Sequence, residues 1–128
     1  MTNTLEEIMN QNKAVEELIQ GAKALLQLCR AGENLGANGN NLWARILSFK
    51  NKEILPASIG IDEEEARGYL VKAGKIWLDE CRKKQGGRGS FYWNLLFLTL
   101  YLQTKDFNCE ELGTTEQEVE AFKKTAPF

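Results

Sequence analysis

The sequence contains no histidine. Histidine is the side chain that most often acts as a general acid or base near neutral pH, and it activates the nucleophile in Ser-His and Cys-His pairs. Ordinary zinc sites also draw on it. We therefore expect a non-enzymatic protein with no catalytic residues, no metal and no cofactor, which leaves binding and assembly as the main function classes.

An enzyme built on carboxylates or on a bound cofactor is the remaining enzymatic alternative, and the pattern of the carboxylates favours a structural role. The densest acidic group is Asp62-Glu63-Glu64-Glu65. Consecutive residues on a helix point in different directions, so these carboxylates do not converge on one point. Negative charge in a first helical turn is stabilised by the helix dipole. The group is therefore typical of a helix N-terminus.

Signals for a disulfide framework, for secretion and for a membrane helix are also lacking. Cys29, Cys81 and Cys109 lie far apart and form no CxxC pair, which is typical of reduced, buried cysteines in a cytosolic protein. The sequence begins without a basic segment followed by an apolar run. The longest apolar run, at 91–102, is shorter than the about twenty residues of a membrane helix. We expect a cytoplasmic protein and no membrane contact.

Strand patterns are scarce, and apolar residues recur with helical periodicity instead. A chain of 128 residues usually forms one domain around a single core. We therefore predict one all-α domain over residues 1–128, a compact bundle of about five helices. The predicted helices span roughly 4–30, 41–51, 62–85, 90–104 and 115–125.

Local signals set the ends of these helices. Thr4 with Glu7, and Thr115 with Glu118, form the S/T-x-x-E capping box that begins a helix. Gly and Asn accumulate in AGENLGANGNN at 31–41, which predicts a flexible connection. Pro56 ends the second helix region, because proline cannot continue a helix.

The periodicity also predicts which side chains face the core, with Trp77 as the anchor of the third helix. In the first helix this face consists of Leu5, Ile8, Val15, Leu18, Ile19, Ala22, Leu25, Leu26 and Cys29. In the second and third helices it consists of Leu42, Trp43, Ile46, Leu47, Ala66, Tyr69, Leu70, Ala73, Ile76, Trp77 and Cys81. In the last helix Val119 and Phe122 point inward.

The fourth predicted helix is apolar on almost every side over FYWNLLFLTLYL, residues 91–102. A helix of this kind must be covered on most of its surface. It is therefore either the central helix of the bundle or partly covered by a partner protein.

The stretch CRKKQGGRGSFYW, residues 81–93, combines cations, glycines and aromatic rings. Basic side chains beside a glycine-rich turn are able to hold phosphates, and Phe91 or Tyr92 would stack a base. Cations on two other stretches would extend this patch. The predicted nucleic-acid-binding residues are Lys72, Lys75, Arg82, Lys83, Lys84, Arg88, Arg45, Lys50 and Lys52.

The alternative for this stretch is a helix end and a bend. Cations are favoured at a helix C-terminus, where they interact with the dipole, and Gly86 and Gly87 would serve the turn. The net charge of the chain is −2, so any nucleic-acid surface must be a local patch. The sequence leaves both interpretations open, together with a third in which the cations bind an acidic protein partner.

The overall plan resembles the small all-helical subunits of CRISPR effector complexes. The resemblance rests on length, five helices, the lack of a catalytic set, and basic helix ends such as CRKKQGGR. It implies a non-catalytic subunit in antiviral defence that contacts neighbouring protein subunits and the backbone of RNA or DNA. The alternative is a small helical regulator or adaptor, such as a phage or bacterial inhibitor, that binds protein and no nucleic acid.

Overall fold

A computed structural model describes residues 4–83 and 89–125 of the chain. Within these ranges the fold is all-α, as predicted, and a single 3₁₀ turn, Pro56–Ile59, is the only other regular element. The short helix α5 was not predicted, although Asn108 and Glu111 form its capping box. The α-helices are α1 (Leu5–Arg30), α2 (Leu35–Asn51), α3 (Glu63–Lys83), α4 (Gly89–Gln103), α5 (Cys109–Leu112) and α6 (Glu116–Thr125).

Helix α1 begins where the capping box predicts, but only its C-terminal half packs in the bundle. The Thr4 hydroxyl accepts a hydrogen bond from the Glu7 amide at 3.2 Å, and the Glu7 carboxylate accepts one from the Thr4 amide at 3.3 Å. Ala22, Leu26 and Cys29 are buried. Residues 4–17 are all exposed, so the prediction that Leu5, Ile8 and Val15 face the core is wrong. Periodicity identifies a helical face and does not show how far its neighbours extend.

Helix α2 begins at Leu35, six residues before the predicted start, so the predicted loop is wrong beyond Asn34. The reason is a close approach of α2 to α3. A Cβ atom added at Gly39 would lie 2.7 Å from the Tyr69 carbonyl oxygen, a distance that real Cβ atoms do not show. Glycine lowers helix propensity by about 1 kcal/mol, but here its small size permits the contact that stabilises the helix.

Helix α3 is the centre of the bundle and contacts α2, α4 and α5. Trp77 is buried, as predicted, and its indole Nε1–H donates a hydrogen bond to the Gly36 carbonyl at 3.1 Å. Its ring lies 5.5 Å from that of Phe97 and 5.9 Å from that of Tyr101, both on α4. These contacts join α2, α3 and α4 into one core.

Three arginines tie the elements around the core together, each by holding a carboxylate and a backbone carbonyl. Arg30 and Arg82 each hold their carboxylate by two hydrogen bonds, and such bidentate pairs fix geometry as well as adding charge-assisted bonds, whereas Arg67 donates one hydrogen bond to its carboxylate. Because each carboxylate is held by a guanidinium, its pKa is lowered. The three sets are Arg30 with Glu65 and the Gly60 carbonyl, Arg67 with Glu111 and the Asp106 carbonyl, and Arg82 with Glu118 and the Gly113 carbonyl.

The remaining predictions about burial are confirmed for some residues and wrong for others. Val119 and Phe122 of α6 are buried as predicted, whereas Leu47 and Ile76 are exposed, contrary to prediction. In both cases the side chain lies at the edge of an apolar stripe that is wider than the face its neighbours cover. The predicted end of the third helix, at residue 85, lies outside the described residues, whereas α4 begins at Gly89, one residue before the predicted start. Across the described part of the chain, no helix has both the length and the apolar character needed to span a membrane.

Candidate interaction surfaces

Two surfaces stand out on the bundle: the predicted basic set, and an exposed apolar face on α4. Seven of the nine predicted cations lie in the described residues, and all seven are exposed. Helix α2 and its C-terminal cap carry Arg45, Lys50 and Lys52, and α3 carries Lys72, Lys75, Arg82 and Lys83. Lys84 and Arg88 lie outside the described residues.

Of the seven predicted cations that the structure describes, three are engaged in ion pairs within the chain. The Arg82 guanidinium donates to both Glu118 oxygens at 3.0 and 2.6 Å, and this bonding raises the arginine pKa. The Lys83 ammonium lies 2.9 Å from the Asp79 carboxylate. The Lys50 ammonium pairs with Glu63, the first residue of α3. Each of these cations would have to leave its carboxylate, or share it, before it held a phosphate.

Within residues 4–83 and 89–125, no ion pair is formed by the other four described cations of the set, which are Arg45, Lys52, Lys72 and Lys75. The Lys72 ammonium lies 5.7 Å from the centre of the Tyr69 ring, and Lys52 donates to the Ser48 hydroxyl at 3.0 Å. Lys72 and Lys75, three residues apart on α3, are neighbours on one helical face. Together with Arg45 and Lys52, they carry positive charge that no close carboxylate of the described chain compensates.

The aromatic part of the predicted nucleic-acid site is less accessible than the sequence indicates. Phe91 is buried, and its ring meets that of Phe122 edge-on with centroids 6.3 Å apart. It is therefore not available for stacking on a base. Tyr92 is half-buried, and its ring lies edge-on to that of Trp93 at 5.4 Å.

Helix α4 presents an uncharged face to solvent. The exposed fractions of Trp93, Leu96 and Leu100 are 55%, 39% and 43%. Their spacing of three, four and seven residues places them in one stripe, which we call the α4 face. The helix has no charged residue between Gly89 and Gln103, and its opposite side is buried through Phe91, Leu95, Leu98 and Tyr101.

A groove of about 570 Å³ runs beside the α4 face. We call it the α3–α4 groove; its lining combines apolar side chains with the amides of Asn34 and Asn94 and the carboxylate of Glu80. The Trp93 ring stacks on that of Phe97 with centroids 6.0 Å apart. Phe97 in turn packs on Trp77, so the groove rests directly on the buried core. The sequence did not reveal this groove, because Ile76, which lines it, was assigned to the core.

A larger hollow of about 810 Å³ lies among α4, α5 and α6. Its lining mixes Arg67, Lys105 and Lys123 with several glutamates, so charges of both signs surround it. The half-buried Cys109 borders this hollow, and burial raises the pKa of its thiol. The described lining therefore does not favour a ligand of one charge sign.

The cysteines have the character of packing residues. Cys29 and Cys81 are buried free thiols, and burial raises the pKa of Cys81 to about 11. The thiolate is the nucleophilic form, so a thiol with this pKa is unreactive near neutral pH. In the described part of the chain, no three cysteine, aspartate or glutamate side chains are grouped to hold a metal ion.

Comparison of the chain with models of protein families, with curated proteins and with solved structures gives no match. The resemblance to small subunits of CRISPR effector complexes therefore stays a prediction.

Proposed function

We propose that this protein is a non-catalytic helical subunit or adaptor that binds another protein through the α4 face and the α3–α4 groove. The observation that carries the proposal is the exposure of Trp93, Leu96 and Leu100 on a helix that has no charged side chain. Apolar stripes of this kind, next to a polar rim, are typical of protein-binding surfaces. The proposal joins the two hypotheses raised by the sequence, since both include a protein partner.

The surface is arranged to bind without prior rearrangement. Trp93 is held by stacking on Phe97, and Phe97 is held by Trp77 in the core. Tryptophan residues supported in this way are enriched among the side chains that dominate binding energy. Holding the ring before binding lowers the entropy cost of association.

The partner that fits best is an amphipathic helix of another protein. Such a helix places apolar side chains three, four and seven residues apart, which matches the stripe of the α4 face. Its apolar anchors would enter the groove over Ile76 and Phe97, and its polar edge would meet the amides of Asn34 and Asn94.

We include the cytoplasm in this proposal as the compartment in which the protein acts. Its three cysteines are free thiols, and thiols persist in a reducing compartment.

Contact with a nucleic-acid backbone is the second candidate, and Lys72, Lys75 and Arg45 support it. These cations are exposed and have no ion pair within the described ranges. In an assembly such as the CRISPR effector complexes that the chain resembles, a few phosphate contacts would add to protein contacts. Arg82, Lys83 and Lys50 support this function less, because carboxylates of the same chain already hold them.

The test begins with recovery of the tagged full chain, and of anything bound to it, from its native cells. The binding of the recovered partner is then measured with wild type, with Leu96→Glu on the α4 face, and with Leu47→Glu as a matched control. Leu47 is exposed to nearly the same extent as Leu96, 37% against 39%, but lies on α2. A charge placed in an apolar interface costs about 2–4 kcal/mol, so Leu96→Glu should weaken binding at least tenfold and Leu47→Glu should not.

Equal binding by Leu96→Glu and wild type, with both variants folded, would refute the α4 face as the binding surface. Nucleic acid is detected in the same preparation by the ratio of absorbance at 260 and 280 nm, before and after nuclease. If it is present, replacing Lys72, Lys75 and Arg45 with alanine should lower the salt slope of log affinity by about 0.7–0.9 for each phosphate that is no longer neutralised. An unchanged slope would exclude these three cations as phosphate contacts.

A further inference from the structure

The N-terminal part of α1, residues 4–17, has an apolar stripe that the bundle does not cover. We call this segment the α1 arm; every residue in it is exposed. Leu5 and Met9 are the most exposed of its large apolar side chains, and Ile8 and Val15 accompany them. An isolated helix of this length is marginal in water without a packing surface.

The stripe follows a heptad pattern along the whole of α1. Apolar residues recur in alternating steps of three and four, with Asn12 as the one polar member, and this is the spacing with which two helices coil around each other. The members are Leu5, Ile8, Asn12, Val15, Ile19, Ala22, Leu26 and Cys29. In the C-terminal half this stripe is buried or half-buried in the bundle, whereas in the arm the same stripe meets solvent.

We propose that the α1 arm pairs with the α1 arm of a second copy of this chain, in an antiparallel, two-fold arrangement. The proposal concerns a surface on a different helix from the α4 face and does not depend on the proposed function.

The fold itself selects the antiparallel direction. Helix α1 continues without a break from the arm into the bundle, where α1 packs on α2. A second α1 that lay parallel along the stripe would run into α2 after the first two heptads. An antiparallel α1 instead leaves past the N-terminus of the first, so each bundle lies at its own end of the pair.

The register follows from the heptad positions. Antiparallel coils place a positions opposite d positions, so Leu5 lies opposite Val15 of the second copy and Asn12 lies opposite Ile8 of the second copy. The two-fold axis then passes near residue 10. Met9 and Gln11, which flank the stripe, each face their own counterpart across this axis. Neither is charged, so the centre of the pair contains no like-charge contact, which suits a second copy better than a partner of opposite charge.

The pairing should be weak, because two short arms bury less than the about 1,200 Å² of stable complexes. The full chain should be monomeric at about 10 µM and substantially dimeric at several hundred µM, as measured by sedimentation equilibrium. A full chain that stays monomeric at about 500 µM would overturn the proposal.

Variants of exposed residues test the surface without disturbing the bundle. Ile8→Glu should raise the dissociation constant at least tenfold, and Asn10→Glu, which adds the same charge on the outward side of the arm, should change it by less than about twofold. Asn12→Leu should lower the dissociation constant by about tenfold, since it replaces an amide opposite Ile8 with an apolar side chain. This gain cannot result from misfolding. Equal dissociation constants for Ile8→Glu and Asn10→Glu would overturn the proposal.

Cross-linking with a short bis-maleimide tests the direction, in a Cys109→Ser background that removes the most accessible native thiol. Two copies of Gln11→Cys lie on either side of the axis and should form a covalent dimer. Two copies of Leu5→Cys lie about 15 Å apart along the pair, at 1.5 Å per residue, and should not. Glu17→Cys, on the outward side, is the control for random collision. Cross-linking of Leu5→Cys in preference to Gln11→Cys would overturn the antiparallel arrangement.

Discussion

Replacing Gly39 with alanine tests whether α2 and α3 meet backbone to backbone. The added Cβ atom would lie 2.7 Å from the Tyr69 carbonyl oxygen and 3.2 Å from the Ala73 Cβ. A backbone oxygen within a helix cannot turn away as the end of a flexible side chain can. The two helices would therefore have to separate by several tenths of an ångström where they meet.

Two opposing terms set the magnitude. Alanine is favoured over glycine in a helix by about 0.8–1.0 kcal/mol, whereas insertion of a methyl group into a packed contact costs about 1–3 kcal/mol. Gly68→Ala supplies the matched control, because Gly68 is also inside a helix and has no heavy atom within 4 Å of the added Cβ. The propensity term cancels between the two variants. Gly39→Ala should therefore be less stable than Gly68→Ala by about 1–3 kcal/mol.

Urea denaturation followed by circular dichroism at 222 nm measures this difference, and thermal melting provides a check. Gly68→Ala should melt above wild type and Gly39→Ala several degrees below Gly68→Ala, at about 3–5 °C per kcal/mol for a chain of this size. If the two variants were equally stable, residue 39 would not lie in a close helix contact. The start of α2 would then fit the position near residue 41 that composition predicts.

Three further predictions concern buried groups and ion pairs. In urea denaturation, Trp77→Phe should destabilise the protein by about 0.5–1.5 kcal/mol more than Trp43→Phe. The reason is that the Trp77 indole donates a hydrogen bond, whereas the buried Trp43 indole has no acceptor in the described chain. Equal destabilisation by the two substitutions would contradict the Trp77 hydrogen bond. Because the pKa of Glu118 is lower in the folded protein than in the unfolded chain, this carboxylate stabilises the fold above its unfolded pKa, and the stabilisation is lost as the pH falls through the folded pKa. In Glu118→Gln, the free energy of unfolding should therefore decrease less steeply with falling pH below about pH 4.5. An unchanged pH slope would show that the ion pair does not form. A thiol reagent at pH 7 should label Cys109 before the two buried cysteines, and denaturant should expose all three; equal native rates would contradict their burial.

Much of the fold was readable from local signals. The Thr4 capping box, the apolar periodicity of α3 and the burial of Trp77 each depend on neighbouring positions in the chain or on one dominant side chain. The same kind of signal is present for α5 in Asn108 and Glu111, although the sequence prediction did not include that helix. Elements of this type are predictable, because capping and amphipathic spacing act within a few residues.

The candidate surfaces were only partly readable. The uncharged character of α4 predicted a helix that needs cover, but which of its sides lacks cover depends on where α3 and α6 pack. The cations of α2 and α3 were visible, whereas the pairing of Arg82 with Glu118 joins residues far apart in the chain. Charge counted along a sequence does not show which charges are already compensated.

The sequence by itself determined the helical class, most helix limits and the identity of the main core residues, because backbone hydrogen bonding and apolar spacing are local. The tertiary structure alone decided that α2 extends back to Leu35, since contacts with α3, at Gly39 and from Trp77 to Gly36, offset the low helix propensity of that segment. It also decided that the apolar stripe of α1 is covered over one half and exposed over the other. Both outcomes depend on how closely and how far neighbouring helices approach, a property of the assembled bundle.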